Sequence, residues 1–270
     1  MVPHFSRHAD FASRYVSARH VDVWVPPGLP DGARLPVIYI HDGQNLFDPA
    51  LAFGGVTWGV AEAMQTLIQA RGTTGAIIVG VWNSGSLRAA DYMPQKPLEP
   101  ASAKSELEAW LAQVGPEQMP NSDAYLKCLV TEIKPMIDAN YPSLPDRENT
   151  FVMGSSMGGL ISMYALCEYP QVFGAAACVS SHWPAAPHAL REYFSRRLPR
   201  VGNHRWYFDF GTLGLDAEYE VHQKRIDAVM LEAGYTARDW STQKFAGADH
   251  NEASWRERVH IPLRFLLEQR

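Results

Sequence analysis

Two short runs in this chain, Leu35 to Ile40 (LPVIYI) and Ala76 to Trp82 (AIIVGVW), are apolar or glycine at every position. A strand with one wet face alternates apolar and polar residues, whereas a strand covered on both faces does not. Each run therefore reads as a central strand of a parallel sheet packed between helices. Between them, Trp58 to Ala70 carries Val60, Ala61, Met64, Leu67 and Ile68 at helical spacing, with Gly72 placed as a cap. Strand, helix, strand in that order implies a right-handed crossover.

The same alternation continues along the chain. Val21 to Pro26 reads as a strand running into a turn, and Asp123 to Asn140 as a helix with Leu126, Leu129, Val130, Ile133 and Ile137 on one face. Pro135 inside that helix predicts a kink or an early stop. Thr150 to Met153, Ala175 to Val179, Trp206 to Phe210 and Ser241 to Phe245 are further strand candidates. Leu160 to Tyr169, Asp216 to Glu232 and Glu252 to Leu267 are further helices. The pattern predicts the α/β class, with a mostly parallel central sheet and helices on both faces, folded as one domain over residues 1–270. One segment breaks the rhythm: Ser84 to Ser122 holds Pro94, Pro97, Pro100, Pro116 and Pro120. It reads either as a surface excursion or as a cap over a site.

Composition removes several functional classes. The 270 residues include 24 Lys+Arg and 29 Asp+Glu, a net charge of −5, so no basic field is present to gather nucleic acid. No run reaches the roughly 18 apolar residues of a membrane span. Met1 to Arg19 lacks the continuous apolar core of a signal peptide, although a processed chain could have lost one. Cys128, Cys167 and Cys178 each sit in an apolar stretch without CxxC spacing and read as buried free thiols, which points to the cytoplasm. There is no HExxH, no clustered Cys/His set, no phosphate-binding GxxxxGK[ST] and no GxGxxG after the first strand, so neither metal nor nucleotide cofactor is implied.

What remains is a constellation suited to nucleophilic catalysis. Gly154-Ser155-Ser156-Met157-Gly158 matches G-x-S-x-G between a short apolar strand and a helix, where the turn is sharp enough to need small flanking residues. Ser156 is then the nucleophile, and the Met157 N–H, at the start of the helix, can donate to a developing oxyanion. A serine needs a base, and in this arrangement the acid and then the histidine follow it along the chain. His182, His204, His222 and His250 all come after Ser156. His250, in Gly247-Ala248-Asp249-His250-Asn251 between the last strand and the last helix, is placed where the base belongs. His182 reads as pocket lining. Asp216 is the favoured acid, in the loop after the strand Trp206 to Phe210, although an aspartate there also suits a helix N-cap. Asp209, Glu218 and Asp249 are its competitors. The loop His41-Asp42-Gly43-Gln44 after the earlier central strand is the expected source of the second oxyanion donor, the N–H of Gly43 or Gln44. His41 and Asp42 precede the nucleophile and read as braces for that loop.

Three separated segments, His41-Asp42-Gly43-Gln44-Asn45-Leu46-Phe47, GSSMGG and the closing GADHNEASWRERVHIPLRFLL, together resemble the putative-esterase family of α/β-hydrolases, which includes enterobactin, acetylxylan and feruloyl esterases and esterase D. The resemblance covers the chain from about Val21 onward. It implies an α/β-hydrolase fold and a serine carboxylic-ester hydrolase acting on a small-molecule ester, without a cofactor, with Ser156, His250 and Asp216 in the catalytic roles. It also implies that Trp58, Arg88 and Tyr92 lie near the pocket. The alternatives are an acyltransferase on the same scaffold and a non-catalytic binding homologue. The aromatic residues Trp58, Trp82 and Trp183 could stack on a sugar, a phenolic acid or a catechol, or simply fill space. The sequence leaves the ester and the oligomeric state open.

Overall fold

A computed structural model describes residues 4–268. Its frame is an eight-stranded sheet of strands β1 (Phe5–Phe11), β2 (Arg19–Trp24), β3 (Val37–His41), β4 (Ile77–Val81), β5 (Thr150–Ser155), β6 (Ala175–Val179), β7 (Arg205–Phe210) and β8 (Trp240–Lys244). Their order is β1-β2-β4-β3-β5-β6-β7-β8. The pairs from β4 through β3 to β8 are parallel, while β1 pairs with β2 and β2 with β4 antiparallel. The helices are α1 (Val60–Gln69), α2 (Arg88–Tyr92), α3 (Lys104–Val114), α4 (Ser122–Cys128), α5 (Lys134–Asn140), α6 (Met157–Glu168), α7 (Pro187–Arg197), α8 (Tyr219–Glu232), α9 (Glu252–Arg258) and α10 (His260–Leu267). Among the described residues no helix is long and apolar enough to cross a membrane.

Successive side chains of a strand point to opposite faces, and the central strands split their apolar residues accordingly. Val37, Tyr39, Val79, Val152 and Ala176 join one core layer with α4 to α7. Ile38, Ile40, Ile78, Met153 and Ala177 join the other, with Met64 and Leu67 of α1 and Leu263 and Leu266 of α10. The uninterrupted apolar runs are thus explained by two covered faces. All three cysteines are buried and unpaired.

Three elements differ from the sequence expectation. β1 falls within the N-terminal stretch that carried no strand signal; residues 1–3 lie outside the described residues. As an edge strand it is mostly exposed, and it is held by backbone pairing and by Arg7, whose Nε lies 2.7 Å from the Asp22 carboxylate. Pro135 neither stops nor breaks its helix, because the chain passes through one wide turn, Leu129–Ile133, between α4 and α5. Such a turn absorbs the missing proline N–H. The closing helix, expected unbroken from Glu252 to Leu267, is instead interrupted at Val259. Pro262 has no N–H for the Arg258 carbonyl, and its ring crowds that carbonyl.

Segment 84–122 is built into the domain. Tyr92, Met93, Leu98 and Trp110 belong to the main core layer. The buried Arg19 side chain meets Asp91 at 3.1 Å, and Glu106 accepts the His188 and Ala189 N–H groups at the start of α7, at 2.9 and 2.8 Å.

Candidate active site

The chain leaves β3 toward β4 on one side, while β5 lies on the other, so the carboxyl ends of β3 and β5 flank a switch point in strand order. Open α/β sheets bind ligands in such crevices. Ser156 follows β5 there as the N-cap of α6, with φ 57° and ψ −122°, outside the regions comfortable for an L residue. A Cβ at Gly154 would lie 2.5 Å from the Gly158 carbonyl oxygen, and one at Gly159 would lie 2.4 Å from the Ser181 hydroxyl. A Cβ at Gly158 would meet only an ordinary contact, 3.4 Å to His41. The bend thus closes Gly154 against Gly158 and seats α6 on Ser181 through Gly159. The Met157 N–H, in the first helical position, has no intrahelical acceptor.

The His250 ring is bonded through Nδ1 to Asp216 Oδ1 at 2.6 Å. Asp216 Oδ2 accepts the Ser180 hydroxyl and the Gly211 N–H, each at 2.6 Å. Burial works to raise the Asp216 carboxyl, but the bonds from His250, Ser180 and Gly211 outweigh it and hold the group below the usual aspartate range. An ionised carboxylate only accepts, so the Nδ1 proton belongs to His250, and the lone pair of the neutral ring lies on Nε2. The competing acids are occupied elsewhere. Asp249 accepts the backbone N–H of His250 at 2.7 Å, and Asp209 is buried against Arg258 at 3.2 Å. Neither the described hydrogen bonds nor the ion pairs connect Glu218 to His250.

Ser156 and His250 are linked through His182 and Tyr219. The Ser156 carbonyl accepts the His182 N–H at 3.2 Å, His182 Nδ1 lies 2.5 Å from the Tyr219 hydroxyl, and the Tyr219 ring stands edge-on to His250 with centroids 5.4 Å apart. Burial pushes His182 down to about 4, so it is uncharged at neutral pH.

The loop after β3 turns at Asp42, which has φ 57°, into a short tight helix, Gly43–Asn45. Its first N–H groups, on Gly43 and Gln44, have no intrahelical acceptor. A Cβ at Gly43 would lie 2.4 Å from the backbone of Gly80, so the close approach of β4 leaves no room for a side chain there. Arg88 grips the Asp42 carboxylate with Nε and Nη2, both at 2.7 Å, and Asn83 adds a third donor at 2.7 Å. Burial opposes the Asp42 charge, and Arg88 more than restores it. His41 is buried, with Nδ1 2.7 Å from the Tyr125 hydroxyl, and burial lowers its pKa to about 3. It is a neutral brace, as its place before the nucleophile suggested.

Several expected pocket residues are buried in the fold. Trp58 is 1% exposed and packs behind Trp255, with ring centroids 5.5 Å apart. Trp183, 2% exposed, donates to Gln223 among Phe194 and Phe208. Tyr92 has no exposure, and its hydroxyl takes the Asp42 N–H at 3.0 Å. Trp82 turns away to Asp22 and Arg7. Arg88 and His182 remain partly open.

Other residues at the site carried no functional signal in the sequence. Glu252, at the start of α9, accepts from Asn45 Nδ2 at 3.2 Å and so ties the turn after His250 to the loop after β3. Burial and the nearby Asp42 charge raise its pKa, with His250 and Arg88 opposing. Ser180 carries a network described below. Its position directly after a central strand was the only available hint. Among the described residues no three His, Cys, Asp or Glu side chains are grouped to hold a metal. A separate cavity of about 800 Å³, lined in part by Arg71, Glu148 and His204, opens at the opposite, amino edge of the sheet.

A serine on the turn from a central strand into a helix, with imidazole and carboxylate supplied by later strand-end loops, is the architecture of the α/β-hydrolase class. Within that class the chain belongs to the family described as putative esterase, whose model matches residues 13–264. YbbA of Bacillus subtilis (strain 168), described as an uncharacterized protein, is 25% identical over 167 residues, which is 61% of this chain. The chain spans about 58% of the length of that curated relative. Two solved structures share the fold. A ferulic acid esterase superposes with TM-score 0.71 at 17% identity over 97% of each chain. The enterochelin esterase of Shigella flexneri superposes with TM-score 0.72 at 16% identity, covering 98% of this chain and 58% of its own.

Proposed function

We propose that the protein hydrolyses small-molecule carboxylic esters through an acyl-serine intermediate. The observation that supports this reading is the Asp216–His250 bond of 2.6 Å, which in the neutral ring assigns the basic lone pair to Nε2. His250 Nε2 takes the Ser156 proton as Oγ attacks the ester carbonyl. The resulting oxyanion is held by the Met157 N–H together with that of Gly43 or Gln44. Collapse of the intermediate expels the alcohol, which leaves with the proton from His250. Water then gives its proton to His250 and attacks the acyl carbonyl, releasing the acid and restoring Ser156. Arg88 and His182 border the substrate, and Asp42 fixes the orientation of the Arg88 fork. Membership of an esterase family supports the reaction class.

The test is purified Ser156→Ala on a p-nitrophenyl acetate assay beside a fluorophosphonate probe. The expected result is a loss of kcat of about 10⁴-fold or more with an unchanged melting temperature, and loss of labelling. Near-normal turnover by the variant would overturn the mechanism. Product transfer to an added alcohol in preference to water would instead identify an acyltransferase.

A further inference from the structure

Behind the His250–Asp216 pair lies a fully buried hydroxyl whose every bonding position is used. Ser180 Oγ is 2.6 Å from Asp216 Oδ2, 2.9 Å from Arg258 Nη2 and 3.2 Å from Trp255 Nε1. Guanidinium and indole N–H groups can only donate, so the two lone pairs of the hydroxyl accept from Arg258 and Trp255. Its single proton then has one destination, Asp216. The backbone is committed to this arrangement as well. Ser180 holds φ 41°, a left-handed value uncommon for serine, and its N–H bonds to the Asp209 carbonyl at 2.9 Å.

The network extends one charge deeper. Arg258, 3% exposed, reaches Asp209 Oδ1 at 3.2 Å with the same Nη2 that meets Ser180, and its Nη1 donates to the Ser254 carbonyl at 3.0 Å. Asp209 also accepts from the Tyr207 hydroxyl at 2.9 Å. Asp209, Arg258, Ser180, Asp216 and His250 therefore form a line of alternating negative charge, positive charge, hydroxyl, negative charge and imidazole. Trp255 closes the geometry by standing edge-on to the His250 ring, with centroids 5.0 Å apart.

We propose that Ser180, oriented by Arg258 and Trp255, is the positioning residue of this site: it pins one oxygen of Asp216 so that the other faces His250. This rests on the hydrolase reading above and deepens it. Without the hydroxyl, Asp216 Oδ2 keeps only the Gly211 N–H, and the carboxylate is freer to rotate. Its charge is also less satisfied, which strengthens its hold on a protonated imidazole. The other groups facing His250 are Tyr219 from α8, Glu252 and Trp255 from α9, Asp249 in its own turn and His182 after β6, with Arg88 acting on Glu252 and His182. Of these only Trp255 also loses a bond, since its indole N–H donates to the same hydroxyl.

Ser180→Ala and Ser180→Gly test the idea. Glycine suits a positive φ, so the second variant removes the hydroxyl while relieving the backbone. In both, kcat on p-nitrophenyl acetate should fall about tenfold or more, with KM within about twofold of wild type. The acid limb of the kcat/KM profile should move to higher pH by about half a unit, a change that loss of packing alone would not produce. Wild-type kcat in a folded variant, or an unmoved limb, overturns the proposal. Fluorophosphonate labelling of wild-type Ser156 separates the two levels: with labelling intact and Ser180 variants unaffected, only the positioning role fails, and without labelling both readings fail.

Discussion

Ser156 occupies a conformation that costs on the order of 1–3 kcal/mol, and the residues around it are chosen so that the bend can close. The two glycines of the motif do different work. A methyl at Gly154 would strike main chain, and a methyl at Gly159 would strike Ser181 and its backbone, whereas Gly158 has room for a contact of ordinary length. Gly154→Ala and Gly159→Ala should therefore lose about 1–3 kcal/mol in urea denaturation, and Gly158→Ala less than about 1 kcal/mol. Equal losses at all three positions would contradict this account of the bend. Spacing and chain order singled out Ser156, His250 and Asp216 as candidates, and the structure joins the last two by a 2.6 Å bond. The sequence left Trp58 and Trp183 undecided, since whether an indole faces ligand or core depends on neighbours far along the chain.

Two prolines inside expected helices have different outcomes. Pro135 is absorbed by one wide turn, while Pro262 divides the final helix into α9 and α10. This division leaves Glu252 to Arg258 as a short helix whose side chains reach Asn45, Ser180 and Asp209. Helix α7 depends on a borrowed cap. Glu106 of α3 accepts its N–H groups at His188 and Ala189, which also fastens segment 84–122 to the domain. Glu106→Ala should cost about 1 kcal/mol and lower the melting temperature by about 2–4 °C, and Glu106→Gln should recover part of that. An unchanged melting temperature in the alanine variant would show that α7 does not need the cap. Long-range caps of this kind, and the edge strand β1, leave little trace in local periodicity.

Across the whole molecule, buried imidazoles link stability to pH. His41 and His182 are pushed by burial to about 3 and about 4, below the ordinary 6.5. Between those values and 6.5 the unfolded chain binds more protons than the folded one, so stability falls as pH drops below about 6.5. Together the two groups should remove about 3 kcal/mol by about pH 5.5. Asp42 and Asp216, held below the carboxylate range, add their losses only at lower pH, whereas Asp209 and Glu252 are raised and act in the opposite direction. Urea midpoints from about pH 7.5 to 5.5 should decline steadily. The decline should be shallower in His41→Asn, and a flat series in the wild type would refute the linkage.

The sequence alone determined the sheet with two covered faces, the strand–serine–helix turn and the chain order of hydroxyl, carboxylate and imidazole. Those properties depend on residues close together in the chain, where periodicity and turn chemistry act. The tertiary structure decided which of four carboxyls meets His250, that Gly43 must make room for Gly80, and that Ser180 stands between Arg258 and Asp216. Those outcomes depend on atoms brought within 3 Å or so from segments far apart in sequence, and only the packed sheet sets such distances.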